Sequence, residues 1–300
     1  MDFEYVPCNL CGGTNNRLLF QKRGLAVKEI FSIVQCTQCA LIFVNPRLKK
    51  EALMKMYDEQ YFKGQGFGEA NYLKWAGTQE KKQEAEAHLA HLSSFLHLSK
   101  SPTRLLEVGF GTGDFLLQGK SQGFIVEGTD ISPFACKSLA EKGVKVYQGF
   151  LEEVPLLSGF YDCVVAIETM EHLPDPKAFL LEVKRILKPG GLFYHQTANF
   201  TRHKWRGASS GYVMPEGHLY YFTYETFKRS LTTTGFDVLD SYRYYHPGRR
   251  PLKLLFEWGF LKKQDHSPRH NLDRLFYSLF RFSDLVRGNW TLPLGQKREL

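Results

Sequence analysis

Apolar and polar positions alternate between strand-like and helix-like patterns over the middle of this 300-residue chain. Short apolar runs predict five strands there, at 104–108, 124–129, 144–147, 161–167 and 191–197. Apolar residues at three- and four-residue intervals predict helices between them. Alternating strands and helices are typical of a mostly parallel sheet covered by helices on both faces, so we expect an α/β fold.

The regions on either side of this alternation have patterns of their own. The first 47 residues predict short β segments around paired cysteines, and the aromatic-rich stretch at 49–77 has no clear pattern. A helical pattern begins at Thr78, and a helix at 224–234 precedes a strand at 236–245. We divide the chain into a zinc-ribbon module at 1–47, a linker and leading helix at 48–100, the core at 101–245 and a C-terminal extension at 246–300.

Positive charge is concentrated in the C-terminal extension. The net charge is +8, from 39 basic and 31 acidic residues, and the part from Arg243 onwards carries 12 of the basic and 5 of the acidic residues. Apolar residues within 272–286 approximate one face of a helix that also carries arginines. We expect this basic amphipathic helix to pack on its own domain, and contact with an anionic membrane surface is the alternative.

The sequence predicts neither a signal peptide nor a membrane span. The N-terminus lacks a basic stretch followed by an apolar run, and no uninterrupted apolar segment is long enough to cross a bilayer. We expect a cytoplasmic protein, which is peripheral to the inner face of the membrane if the extension binds lipid. The sequence leaves the oligomeric state open.

A glycine-rich loop follows the first predicted core strand. The apolar segment at 105–108 runs directly into Gly109, Gly111 and Gly113, where a sharp turn and a close ligand both favour glycine. The spacing departs from the Gly-x-Gly-x-x-Gly fingerprint of dinucleotide-binding sites. Asp114, at the start of the next helix, would also repel a pyrophosphate. The loop therefore favours a ligand without phosphate.

An acidic residue ends the second core strand. Asp130 follows Gly113 by 17 residues, a position from which a carboxylate accepts hydrogen bonds from both hydroxyls of a ribose. Together with the loop, it indicates a nucleoside as the ligand.

Four segments of the core resemble the ordered motifs of a known family. They are residues 105–115, 128–132, 161–176 and 187–191. They resemble the motifs of class I, Rossmann-like S-adenosylmethionine-dependent methyltransferases, and the resemblance spans about residues 100–245. It implies a Rossmann-like sheet and S-adenosylmethionine as the cofactor.

The resemblance also implies roles for single residues. Glu107 would lie near the methionine amino group, the three loop glycines along the methionine and ribose, Asp130 on the ribose hydroxyls and Ile131 beside the adenine. Many family members carry an aspartate after the third strand, whereas this chain has Leu151 and its neighbours there. Apolar and backbone contacts would then hold the adenine. Glu168, after the fourth strand, completes the predicted cofactor-binding residues.

Two Cys-x-x-Cys pairs lie in the N-terminal module. Cys8, Cys11, Cys36 and Cys39 offer four thiolates from two tight turns, which suits a tetrahedral zinc ion with no open coordination position. The predicted metal is therefore structural. The module also resembles the ribbon fused ahead of a bacterial subgroup of these enzymes, whose members often modify sugars or other small cell-envelope precursors.

Candidates for contact with the methyl acceptor follow the strands at the edge where ligands bind in open sheets. These candidates are Glu168, Glu171, His172, His195 and His218. Glu171 and His172 could instead hold a turn, and His195 could be a satisfied core histidine.

His218 is the preferred candidate for the base or orienter of the acceptor. It lies in the segment 215–223, a loop before a helix, and similar segments in related sugar methyltransferases approach the acceptor. Tyr220 or Tyr221 is expected beside it. Methyl transfer chiefly needs alignment of the acceptor and, for a hydroxyl, a base.

The leading hypothesis is S-adenosylmethionine-dependent methyl transfer to a small molecule, such as a sugar or envelope precursor. An RNA methyltransferase is the alternative, but the positive charge lies at the opposite end of the chain from the cysteine module, so nucleic acid is not the expected partner. A non-catalytic nucleoside-binding scaffold with a zinc interaction module is the alternative from another class.

Overall fold

The computed structural model describes residues 3–66, 70–96, 102–240 and 294–297. Ahead of the core, it contains the strands β1 (Phe3–Glu4), β2 (Asn16–Arg23), β3 (Ile30–Cys36), β4 (Ile42–Val44) and β5 (Arg47–Leu48). The helices α1 (Lys50–Met54), α2 (Glu59–Phe62), α3 (Tyr72–Trp75) and α4 (Gln79–Ser93) follow. The side chain of Thr78 caps α4 by accepting a hydrogen bond from the amide of Lys81, as expected of a threonine at a helix start.

The core begins after α4 and alternates strands with helices. Its first half contains β6 (Arg104–Val108), α5 (Asp114–Ser121), β7 (Ile125–Asp130), α6 (Pro133–Ala140) and β8 (Lys145–Gln148). Its second half contains β9 (Tyr161–Ile167), α7 (Pro176–Ile186), β10 (Leu187–Gln196), β11 (Tyr220–Tyr221), α8 (Tyr224–Thr233), β12 (Phe236–Asp240) and β13 (Leu294–Lys297). The five predicted core strands correspond to β6–β10.

The main sheet is mostly parallel and confirms the predicted Rossmann-like α/β fold. Its seven strands within the described ranges have the order β12-β13-β10-β9-β6-β7-β8. The neighbours from β10 to β8 are parallel, whereas β13 runs antiparallel to both β10 and β12. The chain therefore leaves β6 in one direction to form β7 and β8, and then crosses back to β9.

Strand β13 comes from the segment that the sequence analysis treated as an extension. It lies between β10 and β12, with Leu192 opposite Gln296 and Val238 opposite Gly295. The sequence does not predict this strand, because four residues that include a glycine and a glutamine have no apolar alternation. The predicted amphipathic helix at 272–286 lies outside the described residues.

Helix α7 shows how local sequence sets an element boundary. Asp175 accepts a hydrogen bond from the amide of Ala178, at 2.9 Å, and Pro176 occupies the first helical position. The helix ends at Ile186, and β10 begins at the next residue. A register shift in β10 accommodates the glycines of this stretch.

The cysteine module shares a sheet with the core. Strand β11 of the core adds to β4, so that the smaller sheet has the order β11-β4-β3-β2. Tyr220 lies opposite Phe43 and Tyr221 opposite Ile42. Buried residues of both parts, including Cys8 and Leu106, belong to one hydrophobic cluster. The cysteine module therefore packs against the core and is not connected to it only through the linker.

The stretch at 49–77 forms short helices that carry an aromatic cluster. The ring centroids of Tyr57 and Tyr61 lie 5.0 Å apart, as do those of Tyr61 and Tyr72. Phe62 packs against Phe134 of α6, at 5.3 Å. The linker thus lies against the core. Of the helices in the part of the chain that the structure describes, none has the length and apolar character needed to cross a membrane.

Candidate functional site

The candidate site lies where the central parallel strands end. Strand β6 pairs with β7 on one side and with β9 on the other, so their carboxyl ends meet at one edge of the sheet. The glycine loop follows β6, Asp130 ends β7, and Glu168 follows β9. Ligands bind at this edge in open parallel sheets.

The glycine loop has backbone conformations that favour glycine. The φ angle is +70° at Gly109, +54° at Gly111 and +78° at Gly113. A Cβ added at Gly109 would lie 2.7 Å from the Thr169 hydroxyl, and one at Gly113 would lie 2.6 Å from a methyl group of Leu139. A Cβ at Gly111 would have no protein atom within 4 Å among the residues described. The space beside Gly111 is thus open to a ligand.

Glu107 is a buried carboxyl group at the start of this loop. Its side chain is held on β6, and the residue is only 4% exposed. Its Oε2 has no hydrogen-bond partner within the described ranges. Burial, followed by the negative charges of Asp130 and Asp114, raises the pKa of Glu107 well above its usual value. An unpartnered buried carboxyl oxygen suits an ammonium group of a ligand.

Asp130 is held by backbone donors on both sides. Its Oδ2 accepts a hydrogen bond from the amide of Gly111, at 3.0 Å, and its Oδ1 accepts one from the amide of Ser132, at 2.8 Å. Burial raises the pKa of Asp130 to about 6, although these amide hydrogen bonds act in the opposite direction. Each carboxylate oxygen has a further lone pair for a ligand hydroxyl.

Asp114 ties the glycine loop to the linker. It accepts hydrogen bonds from the Thr112 hydroxyl, at 2.6 Å, and from the amide of Gly77, at 2.7 Å. The carboxylate therefore satisfies local donors at the start of α5, where a phosphate would otherwise bind.

The predicted adenine-binding residues lie beside Asp130. Ile131 follows it directly, and the amide of Gly149 donates to the carbonyl of Asp130, at 2.9 Å. Leu151, two residues later, is buried in the core cluster against which Ile131 also packs. These contacts bring both predicted residues to the same side of the loop, and their role in binding adenine stays a prediction.

A second group of polar side chains combines two residues that follow β9 with one from the loop before β11. Glu171, His172 and His218 each offer a potential ligand atom, and these atoms lie within 4.8 Å of one another. The ring centroids of the two histidines are 4.6 Å apart. Glu171 is fully buried, and its Oε2 has no hydrogen-bond partner among the residues described. We call these three residues the acceptor-side cluster.

Backbone carbonyls orient both histidines. Nδ1 of His218 lies 2.7 Å from the carbonyl oxygen of Tyr212, which accepts only, so Nδ1 carries the proton and Nε2 keeps its lone pair. Nδ1 of His172 lies 3.0 Å from the carbonyl oxygen of Gly217 and 3.0 Å from the Tyr57 hydroxyl. Burial lowers the pKa of His172 to about 4 and that of His218 well below its usual value, so both rings are neutral.

Two carboxyl groups lie side by side at this cluster. Those of Glu168 and Glu171 are close enough to interact directly, and Glu168 Oε1 accepts a hydrogen bond from the Gln196 amide, at 3.0 Å. Burial raises the pKa of both groups, and the charge of Glu168 raises that of Glu171 further. Glu168 has a φ of +49°, a costly conformation for a non-glycine residue. The structure therefore groups Glu168 with the acceptor-side cluster.

Two predicted acceptor residues lie elsewhere. The ring of His195 packs against Phe227, at 4.1 Å between centroids, and stacks on Phe193, so it is a core histidine between β10 and α8. The Tyr220 hydroxyl contacts Arg47, at 3.0 Å, and the carbonyl of Pro174. Strand pairing with β4 turns the Tyr220 side chain towards the cysteine module, and its role at the acceptor stays a prediction.

Sequence reasoning missed two tyrosines of the site. Tyr57 contacts His172 from the linker, and the Tyr212 hydroxyl donates to Glu171 Oε1, at 3.5 Å. Tyr212 also packs against His218, at 4.6 Å between ring centroids. The density of aromatic residues in the linker was a signal, but without a periodic pattern it did not point to a site.

The four cysteines converge as the spacing predicts. Sγ of Cys8 lies 3.3 Å from Sγ of Cys39, and Sγ of Cys11 lies 3.5 Å from Sγ of Cys36. All four sulfur atoms lie within 4.8 Å of one another. Thiolates about 2.3 Å from a tetrahedral zinc ion are roughly 3.8 Å apart, so the cluster fits this metal.

A buried carboxylate joins the cysteine module to the loop that carries His218. Glu216 accepts hydrogen bonds from the amides of Leu25 and Ala26, at the turn between β2 and β3. Lys22 of β2 donates to the carbonyl of Ser210, at 2.8 Å. The module therefore holds both ends of the loop.

The chain is similar to known methyltransferases. A family model for the methyltransferase domain matches residues 80–241, more than half of the chain. A ubiquinone biosynthesis O-methyltransferase of Marinobacter nauticus is 37% identical over 112 residues, 34% of this chain and 47% of the relative. The uncharacterized methyltransferase YdaC of Bacillus subtilis is 33% identical over 93 residues, 29% of this chain and 51% of the relative.

These matches span about half the length of the curated relatives. Among solved structures, a SAM-dependent methyltransferase from Archaeoglobus fulgidus aligns with a TM-score of 0.52 at 19% identity, over 72% of this chain and 94% of that chain. This likeness concerns the fold alone.

Proposed function

This chain belongs to the methyltransferase-domain family, and we propose that it transfers a methyl group from S-adenosylmethionine to a small molecule. The buried, unpartnered carboxyl oxygen of Glu107 carries the proposal, and the open space at Gly111 supports it. S-adenosylmethionine combines an ammonium group with a ribose and lacks phosphate, so it matches Glu107, Asp130 and a loop that disfavours phosphate.

The residues of the pocket bind and orient the cofactor. Glu107 binds the methionine amino group, Asp130 the ribose hydroxyls, and Ile131 and Leu151 the adenine. When bound, the cofactor supplies an electrophilic methyl group on its sulfonium. For a hydroxyl acceptor, the sulfur–carbon bond breaks as the oxygen–carbon bond forms. The hydroxyl proton passes to a protein group, for which Nε2 of His218 and the carboxylate of Glu168 are available.

The acceptor is a sugar or another small cell-envelope precursor. Glu171 and His218 of the acceptor-side cluster are buried, and its side chains offer hydrogen-bond acceptors, which suits a ligand that carries several hydroxyl groups. The resemblance of the cysteine module to ribbons of sugar-modifying enzymes supports the same class. RNA is the alternative acceptor.

The four cysteines hold a structural zinc ion. Four protein ligands leave no open position, so the metal takes no part in methyl transfer. Its role is to hold the turns of the module, which in turn hold the loop with His218 through Glu216. Support comes from the distances between the sulfur atoms.

Calorimetric titration with S-adenosylmethionine tests the cofactor site. The wild-type protein should bind it, and Glu107→Gln should weaken binding at least tenfold, because a neutral amide no longer attracts an ammonium group. Tyr220→Phe is the control and should bind normally, since the Tyr220 hydroxyl contacts Arg47 at the module interface. A wild-type protein that does not bind S-adenosylmethionine would refute the proposal.

Methyl-labelled S-adenosylmethionine tests the acceptor. Incubation with nucleotide-activated sugars should label the sugar, and His218→Ala should abolish this turnover while the affinity for the cofactor stays near normal. Label in total RNA, in a salt-dependent manner, would replace the small-molecule acceptor with RNA. Unchanged turnover of His218→Ala would remove that residue from the site.

A further inference from the structure

We propose that Glu171, His172 and His218 form a divalent-cation site, and that two neighbouring oxygen atoms of the acceptor complete its coordination. The catalytic meaning of this site rests on the proposed methyl transfer, whereas the binding of the cation does not. It is separate from the cysteine site in position and in ligand chemistry.

The donor set and its spacing fit a metal. One carboxylate and two imidazoles are ligands that zinc, manganese and iron accept, and three protein ligands leave coordination positions open. Ligand atoms about 2.0–2.2 Å from a metal lie roughly 3–4 Å from one another. The three candidate atoms already lie within 4.8 Å of one another. Small side-chain adjustments are therefore sufficient to bind an ion.

The cluster also contains an unpartnered buried acceptor. Glu171 is 0% exposed, and its Oε2 has no hydrogen-bond partner in the described part of the chain. Glu168 adds a second, exposed carboxyl group in close contact. No lysine or arginine forms an ion pair with either glutamate among the residues that the structure describes. A buried carboxylate without a basic partner, such as that of Glu171, is stabilised by a metal ion.

Hydrogen bonds orient the proposed ligands in the way that is common around metal sites. A histidine that binds a metal commonly donates its other ring N–H to a backbone carbonyl. Nδ1 of His218 donates to the carbonyl of Tyr212, and Nδ1 of His172 lies 3.0 Å from the carbonyl of Gly217. The Tyr212 hydroxyl contacts Glu171. Both histidines thus keep Nε2 for a cation.

Backbone hydrogen bonds hold the two ligand segments together. The amide of Leu219 donates to the carbonyl of Glu171, at 2.7 Å, and the amide of Val44 donates to the carbonyl of Leu219, at 2.9 Å. The ligands after β9 and the ligand in the 210–218 loop therefore have a fixed relative position. Preorganised ligands lower the entropic cost of binding an ion.

The site narrows the acceptor class. Open coordination positions next to one another favour a molecule with two vicinal oxygens, such as a diol of a sugar. With Nε2 bound to the cation, His218 orients the acceptor and does not take its proton. The hydroxyl proton then passes to the carboxylate of Glu168 as the oxygen–methyl bond forms.

Binding of metal alone tests the site, without turnover. The full-length protein with its cysteine site loaded with zinc is titrated with Mn²⁺, and the bound fraction is followed by electron paramagnetic resonance. We expect one Mn²⁺ per chain, weakened at least tenfold in Glu171→Gln and in His218→Gln. Dialysis against Zn²⁺ should raise the zinc content from one to two per chain in the wild type only.

Glu107→Gln is the matched control, because it removes a buried carboxylate from the cofactor pocket and not from the cluster. It should lose affinity for S-adenosylmethionine and keep Mn²⁺. If Glu171→Gln does not fold, His172→Gln and His218→Gln carry the test. Absence of any binding of Mn²⁺ and Zn²⁺ beyond the cysteine site, or equal binding in the variants, overturns the metal site.

The failure of the proposed function has a different signature. A wild-type protein that binds the cation but not S-adenosylmethionine overturns the methyl transfer and leaves the metal site standing. A protein that binds S-adenosylmethionine but no second cation overturns the metal site alone.

Discussion

Alanine substitutions at two positions of the glycine loop should affect stability and cofactor affinity in opposite order. Alanine at Gly111 or at Gly113 places a side chain on a backbone with φ of +54° or +78°. A left-handed conformation costs an L-residue about 1–2 kcal/mol. At Gly113 the new Cβ also lies 2.6 Å from Leu139, and overpacking of this kind adds roughly 1–3 kcal/mol. At Gly111 no such contact arises.

We therefore expect Gly113→Ala to lower the free energy of unfolding by about 2–5 kcal/mol and Gly111→Ala by about 1–2 kcal/mol. Affinity for S-adenosylmethionine should change in the opposite order. The Cβ at position 111 enters the space left for the cofactor, so Gly111→Ala should weaken binding at least tenfold. Gly113→Ala should bind closer to normally at a temperature where it remains folded, because its Cβ points into the packing against α6.

Urea unfolding and calorimetric titration measure the two quantities on the same preparations. The midpoint and slope of the unfolding curve give the free energy of unfolding, which is valid if the slope is unchanged. Equal stability losses in the two variants would contradict the packing argument at Leu139. Normal cofactor affinity in Gly111→Ala would show that the open space beside Gly111 is not where the cofactor binds.

Three further predictions concern other parts of the site. Glu216→Ala should lower turnover and the free energy of unfolding, the latter by about 1–3 kcal/mol, because the amides of Leu25 and Ala26 lose their acceptor. Glu216→Gln keeps an acceptor oxygen and should retain most turnover. If Glu216→Gln loses as much turnover as Glu216→Ala, the role of Glu216 is not purely geometric. Affinity for S-adenosylmethionine should fall as the pH decreases through about 6, by up to tenfold per unit for one proton, because Asp130 binds the ribose as an ionised carboxylate. Titrations between about pH 5 and pH 8 at constant ionic strength measure it. The profile of Asp130→Asn should be less steep than that of the wild type, because only Glu107 of the two carboxyl groups still titrates. Removal of zinc by a chelator should lower the unfolding temperature and turnover together, and added zinc should restore both; unchanged turnover would separate the module from the acceptor loop.

Local patterns in the sequence determined the core of the fold. Strands β6–β10 were predicted within a few residues, because buried parallel strands require short apolar runs, and Asp175 and Pro176 define a helix start by their own chemistry. The loop glycines and Asp130 could be identified for a similar reason. The glycines allow a sharp strand-to-helix turn close to a ligand, and Asp130 ends a strand where a carboxylate can bind a ribose. The spacing of the paired cysteines was sufficient to predict a metal site.

The tertiary structure decided what distant segments do together. Strand β13 has no apolar pattern and is a strand because β10 and β12 offer hydrogen-bonding edges on both sides of it. His195 and His218 are equally histidines near strand ends in the sequence. Packing directs the first into the core against Phe227, and a hydrogen bond to Tyr212 holds the second beside Glu171. The direction of a side chain depends on partners that are distant in the sequence. The spacing of residues was therefore sufficient to predict the cofactor loop, whereas only the tertiary structure brings the acceptor-side cluster together.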